Sequence, residues 1–145
     1  MMKIIPPLLV LLLYGCAHFS GSNSLYTEFA KYKTSVDESR LIDSYPLYFD
    51  PLLTGNIDID NPSTASQLEF SKYMTREITH YEEVRNSKGC LTVNGVGSED
   101  NPIAFYIEYK NIDNKWLISD IDVSFLDEIK EYKRKALCPS QTRVE

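Results

Sequence analysis

Between Ile103 and Phe125 the chain alternates apolar and polar side chains through two runs, separated by the polar stretch Asn111-Ile112-Asp113-Asn114-Lys115. Successive side chains on a strand point to opposite sides, so Ile103, Phe105, Ile107 and Tyr109 share one face, with Ala104, Tyr106 and Glu108 on the other. In the second run Leu117, Ile121, Val123 and Phe125 form one face, and Trp116, Ile118, Asp120 and Asp122 the other. The polar stretch reads as a hairpin loop, which makes the pair antiparallel. Upstream, Cys90-Leu91-Thr92-Val93 starts another strand after the turn residues Asn86-Ser87-Lys88-Gly89. Ile78 to Val84 can end a helix or form the first strand, and Thr79, Tyr81 and Val84 favour the strand because they suit a pleated surface. Gly95, Gly97 and residues 98–102 make the loop between the two pairs, and Asp127 to Leu137 is a charged terminal helix or turn.

Ahead of the strands the period changes. Leu25, Phe29, Tyr32 and Val36 recur at spacings of one helical turn, and Ser24 is placed to cap them. A second short helix is expected from Ser35, whose spacing to Glu38 matches a capping box, through Leu41, Ile42 and Tyr45 until Pro46 stops it. Pro46, Pro51, Gly55 and Pro62 leave room for only one short strand, Asn56 to Asp60. Thr64 and Gln67 fit another capping box, for a third helix that buries Leu68, Phe70, Tyr73, Met74 and Ile78. Helices followed by an antiparallel sheet of about four strands predict an α+β fold, with N-terminal helices packed on one face of a curved sheet.

The N-terminus carries a different signal. Lys3 supplies a positive charge, Ile4 to Tyr14 is almost wholly apolar, and Gly15-Cys16 follows, which is the layout of a secretory signal. At about 1.5 Å per residue this run makes a helix of about 16 Å, roughly half of a ~30 Å hydrocarbon core, too short to anchor by spanning. On Leu13, Gly15 and Cys16 the segment resembles bacterial lipoprotein signals, in which a peptidase cuts before a cysteine whose sulfur carries a diacylglycerol; Tyr14 departs from the smaller residue usual there. The resemblance implies lipidation at Cys16 and, because Ala17 stands where an Asp would retain the protein in the inner membrane, an outer-membrane protein facing the periplasm. The expected organisation is a signal peptide over residues 1–15, a lipid-attached tether over 16–23, and one domain over 24–145.

Loss of Lys3 from the 15 basic residues leaves 14 against 21 acidic ones, an acidic balance that argues against nucleic acid as a partner. With Cys16 acylated, Cys90 and Cys138 remain as a pair, and a disulfide is the default for such a pair in an oxidising periplasm. Only two histidines are present and neither has ligand spacing to a cysteine, so no metal or cofactor is expected. Asn56-Ile57-Asp58-Ile59-Asp60-Asn61 starts like a calcium loop, but Asn61 and Gln67 stand where Gly and Glu are required.

The element order from residue 24 to 126, and most locally the run Asp113-Asn114-Lys115-Trp116-Leu117-Ile118-Ser119-Asp120-Ile121, resembles the nuclear transport factor 2-like (ketosteroid-isomerase-like) superfamily; a cystatin-like domain is the alternative. Enzymes of that superfamily use a carboxylate or an Asp/His pair in a pocket between sheet and helices. Asp120, Asp122, Glu108 and His80 are the residues that could supply such chemistry, and a solvated strand face is the competing reading. Of the ten tyrosines, Tyr32, Tyr45, Tyr73 and Tyr109 fall on expected core faces, which leaves Tyr26, Tyr48, Tyr81 and Tyr106 for a binding surface. Three functions are consistent with these features. They are a non-enzymatic lipoprotein with a partner-binding domain, a periplasmic immunity protein that neutralises a delivered toxin, and a small-molecule isomerase or hydrolase.

Overall fold

The computed structural model describes residues 24–143. Leu13, Tyr14, Gly15, Cys16 and the tether lie outside the described residues. Four antiparallel strands, β1 (Arg76–Arg85), β2 (Lys88–Val96), β3 (Pro102–Ile112) and β4 (Lys115–Phe125), form one open sheet in sequential order. The α-helices α1 (Leu25–Asp37), α2 (Leu41–Ser44), α3 (Pro51–Thr54) and α4 (Pro62–Leu68) precede it, so the fold is α+β. A fifth short helix, α5 (Pro139–Thr142), ends the described chain. Among the described residues no helix is long and apolar enough to cross a membrane.

The expected periodicity of α1 holds. Ser24 Oγ accepts from the Thr27 N–H, and Leu25, Phe29, Tyr32 and Val36 are all buried against the sheet. Burying each of these side chains is worth about 2 kcal/mol, enough to hold a helix whose length alone is marginal in water. Gly89 on β2 permits the close approach, since a Cβ there would come within 2.5 Å of Leu25 Cδ1. The helix does not stop at Ser35 as the capping-box spacing suggests. It runs on to Asp37 and closes in a Schellman motif, with Ser39 N–H bonded to the Val36 carbonyl, Arg40 N–H to that of Ser35, and Ser39 at φ 57°. Ser35 is instead buried and meets Ser44 of α2 at 2.8 Å.

Other expectations are corrected. Asn56–Asp60 forms no strand: Asp50 caps α3, and the chain then turns through Asp58, whose side chain accepts from the Asp60 N–H. The only extended pairing in this region is a parallel bridge of Phe49 to Ile118, at the edge of β4. The cap of α4 is Asn61 with Pro62 in the first turn, not Thr64, because the Asn side chain reaches the Ser63 N–H. Leu68, Phe70 and Met74 are buried as expected, but a 3-10 turn over Phe70–Tyr73 rotates Tyr73 outward, and Ile78 sits at an irregularity of β1; both are exposed. Ile42 is exposed too.

The hairpin of β3 and β4 closes through Asp113 and Asn114, both at positive φ, the conformation that two-residue hairpin turns require. A bulge changes the faces of β4. Glu108 pairs with Asp120 but Tyr109 pairs with Ile118, so Ser119 is the extra residue. Ile118 and Trp116 therefore join Ile121 and Val123 on the helix-covered side, while Leu117 goes to the opposite side, the reverse of simple alternation.

The helix-covered core contains Phe29, Tyr32, Phe49, Phe70, Phe105 and Tyr109, with Tyr32 stacked on Phe70 at 4.9 Å. The second sheet face is covered as well. Residues 126–143 cross it as a strap; of the helix or turn expected over Asp127–Leu137 the turn is found, a 3-10 turn at Ile129–Glu131, and α5 lies at the end. Beneath the strap Ala104, Tyr106 and Leu137 make a smaller core, so Tyr106 is buried and offers no binding surface. Cys90 and Cys138 bring their sulfurs to 1.99 Å with Cα atoms 4.8 Å apart, which staples the strap to β2. Closing a loop across a sequence separation of 48 is worth up to about 4 kcal/mol by chain entropy.

Ser39 carries a side chain where the backbone favours glycine. Ser39→Gly is expected to stabilise the chain by about 0.5–1 kcal/mol in denaturant unfolding, since the relieved left-handed strain exceeds the added unfolded-state entropy.

Candidate functional site

The four residues singled out for chemistry do not converge. Asp120, Asp122 and Glu108 lie on the strap-covered face of the sheet, as the register of β3 with β4 dictates. His80 lies on β1 opposite Val93, on the helix side. An Asp/His proton relay would need the two on one side.

Each acid also has a holding role. The Asp120 carboxylate receives both terminal nitrogens of Arg143, at 3.1 and 3.0 Å, and accepts the Ile121 N–H at 2.9 Å. This bidentate bond raises the Arg143 pKa. Asp122 accepts from Thr142 Oγ1 at 2.8 Å, so two neighbouring acids hold the two last residues of the described strap. Glu108 is bridged to Lys88 at 2.9 Å and accepts from Ser119 Oγ at 3.0 Å, which fastens the bulge. Tyr132 donates to the Gly95 carbonyl, Asn94 Nδ2 donates to the Lys133 carbonyl at 2.9 Å, and the buried Leu137 N–H donates to Thr92 Oγ1 at 3.0 Å. Asp120, Asp122, Thr92 and Asn94 on this face are thus partners of the strap, while Glu108 ties strands of the sheet together.

On the helix side, residues that sequence reading did not connect form one cluster. Tyr26 stacks on His80 at 3.7 Å, its hydroxyl donates to Glu77 Oε2 at 2.5 Å, and its N–H donates to Glu82 Oε2 at 2.8 Å. Lys33 adds an ion pair to Glu77 at 2.9 Å. The bond to the Glu77 carboxylate, followed by burial, pushes the Tyr26 pKa up to about 12. Burial alone would raise Glu77, but the bonds from Tyr26 and Lys33 outweigh it and hold the carboxyl below its ordinary value. The residues are far apart in sequence, and β1 has its irregularity between Glu77 and Thr79, so no local pattern announces the group. Its evident work is to seat the start of α1 on β1.

The space between helices and sheet is filled by aromatic side chains. Burial raises the pKa of Tyr32, whose hydroxyl donates to the Leu68 carbonyl at 2.7 Å. Burial likewise raises that of Tyr109, whose hydroxyl has no hydrogen-bond partner among the described residues. What remains open is a shallow groove of about 280 Å³ at the β4 edge, lined by Leu53, Ile57, Leu68, Phe70, Tyr73, Ile121 and Val123, with Gln67 and Asp120 as its polar members. Tyr73 and Phe125 meet edge to face at 5.9 Å beside it, and both are exposed. Among the described residues no group of three or more His, Cys, Asp or Glu side chains is placed to hold a metal ion. No protein-family model, curated protein or solved structure matches the chain.

The lowered carboxyl of Glu77 gives a signed pH dependence. Its contribution is complete above the unfolded carboxyl value of about 4.3 and is lost as pH falls through the lower folded value. Thermal unfolding between about pH 6 and pH 3 should therefore show a shallower acid decline for Glu77→Gln than for the parent chain.

Proposed function

We propose that the chain is a lipid-anchored outer-membrane protein, acylated at Cys16 and facing the periplasm, whose domain binds a protein partner and transforms no substrate. The observation that carries the second half is the placement of the acids. Asp120 and Asp122 hold Arg143 and Thr142, Glu108 holds Lys88 and Ser119, and His80 stacks on Tyr26 across the sheet. A proton-transfer site needs a desolvated carboxylate aimed into an open pocket. Here the interior that would serve as the pocket is occupied by Tyr32, Tyr109, Phe70 and Phe105.

A nuclear transport factor 2-like scaffold remains our finer reading of the fold, supported by the order of helices before an antiparallel sheet and by the turn, tryptophan and strand of Asp113–Ile121. The anchor rests on Leu13, Gly15 and Cys16. The groove with exposed Tyr73 and Phe125 at its rim supplies the apolar contact surface, since aromatic anchors beside a pocket are the usual basis of affinity. Neutralising a delivered toxin is one form of such binding.

Two measurements test the proposal. Expressed in a Gram-negative cell, the chain should take up labelled palmitate and sediment with the outer membrane, and Cys16→Ala should lose the label and move to the soluble periplasmic fraction. A photoreactive residue at Tyr73 should give a discrete protein adduct in the same cells, while one at the exposed Glu99 should not. Unchanged fractionation of Cys16→Ala counts against the anchor, and absence of an adduct from Tyr73 counts against the groove.

A further inference from the structure

The two edges of the sheet are treated differently. At β4, Ile118 exchanges backbone hydrogen bonds with Tyr48 and Asp50, the Ile121 N–H is taken by the Asp120 side chain, and the Ile121 carbonyl by Arg143. Backbone groups of that edge are thus capped by loop and side chains. At β1, ten residues run along the outside of the sheet, paired with β2 on their inner side, and among the described residues no strand pairs with their outer side. Exposed edges are usually guarded by charge or a bulge. β1 has both, yet it also leaves Ile78 and Val84 43% and 50% exposed.

We propose that β1 pairs antiparallel with β1 of a second copy of this chain, with Tyr81 facing its own counterpart across a two-fold axis. The backbone restricts the register. Asn86-Ser87 is a two-residue turn, so Arg85 and Lys88 form the hydrogen-bonded pair that closes the hairpin. Alternation along the ladder then points the N–H and C=O of Val84, Glu82 and His80 outward. A symmetric pairing that uses these groups must be centred on a single residue. Centring on Glu82 or Glu83 sets like charges directly opposite, and centring on His80 or Thr79 shortens the overlap and places Ile78 against Glu82 or His80. Centring on Tyr81 places His80 opposite Glu82, Thr79 opposite Glu83, and Ile78 opposite Val84, each twice by symmetry. No acid then meets an acid, each carboxylate faces a side chain that can donate to it, and the apolar Ile78 and Val84 meet, the kind of cross-strand pair that stabilises a ladder.

Surrounding residues fit this arrangement. The axis stands perpendicular to the sheet, so both helix layers lie on one side. Tyr26 and Lys33 both reach Glu77 of β1, and Ala30, between them on α1, is small and exposed where the two α1 helices come nearest. The Tyr26 N–H bond to Glu82 brings each chain into its fold beside the axis. Two copies therefore bring the starts of their α1 helices to one side of the paired sheet, which suits two lipid anchors in one membrane, and confinement to a surface raises their effective concentration. Only this last point uses the proposed anchor; the pairing itself does not.

Sedimentation equilibrium of the protein as purified from its host tests the proposal. A concentration-dependent dimer is expected, with Val84→Glu and Ile78→Lys each weakening it by about tenfold because symmetry repeats the change. The double variant, which sets opposite charges across the axis, should recover the parental dimer. Both positions are exposed, and far-UV circular dichroism reports whether the fold survives. Independently of those variants, Tyr81→Cys should crosslink to a dimer on mild oxidation. A chain that stays monomeric up to roughly 100 μM would leave the edge to some other strand and overturn the proposal. So would a dimer that neither charge variant weakens, or a Tyr81→Cys chain that does not crosslink.

Discussion

β3 is buried on both faces, with every residue from Ile103 to Ile107 almost inaccessible, and the rest of the molecule is arranged to make that burial hold. One face is covered by helices rich in aromatic side chains, and apolar packing secures it. The strap on the other face contributes little beyond Leu126 and Leu137 to apolar contact. A segment so poor in apolar area cannot order itself by burial alone, because each ordered residue costs about 1–2 kcal/mol of backbone entropy. The Cys90–Cys138 link, the Thr92 and Asn94 hydrogen bonds and the Arg143–Asp120 pair supply what packing does not. Of the residues that resemble a scattered acidic site, Asp120 and Asp122 are fittings of the strap and Glu108 a fitting of the sheet beneath it.

Much of this was legible in the sequence. The period of Leu25, Phe29, Tyr32 and Val36 located α1, and the alternation from Ile103 to Tyr109 located β3, because one pattern of burial repeated over several turns or residues dominates local ambiguity. The even pair of cysteines pointed to the contact that ties Cys138 to β2. Short elements were less legible. A run such as Asn56–Asp60 alternates as a strand would, but strand formation needs a neighbour, and the adjoining backbone is committed to capping α3 and α4. The Ser119 bulge is invisible to any rule of strict alternation, and it alone exchanges the faces of Leu117 and Ile118. The helix or turn expected over Asp127–Leu137 is realised as the turn at Ile129–Glu131, but nothing in that charged run tells which face of the sheet it crosses.

The candidate site was less legible than the fold, for the same reason. Asp120, Asp122 and Glu108 do share a face, as alternation around them implies, but what Asp120 and Asp122 meet there depends on residues 20 or more positions away. Sequence proximity could not say that Arg143 would arrive there. The Tyr26–Glu77–His80 group shows the converse, a tight constellation with no local signature. The features open to a partner are accordingly surfaces rather than motif residues. One edge is capped, the other is open, and a shallow apolar groove lies beside exposed Tyr73 and Phe125.

A covalently stapled strap, and not solvent or substrate, occupies the second sheet face. Amide hydrogen exchange at Leu137, whose buried N–H donates to Thr92, measures this directly in the oxidised and reduced chain. Strong protection is expected with the Cys90–Cys138 bond intact and a marked loss on reduction, while amides of β2 and β3 that pair with each other stay protected. Equal exchange at Leu137 in the two states would contradict it.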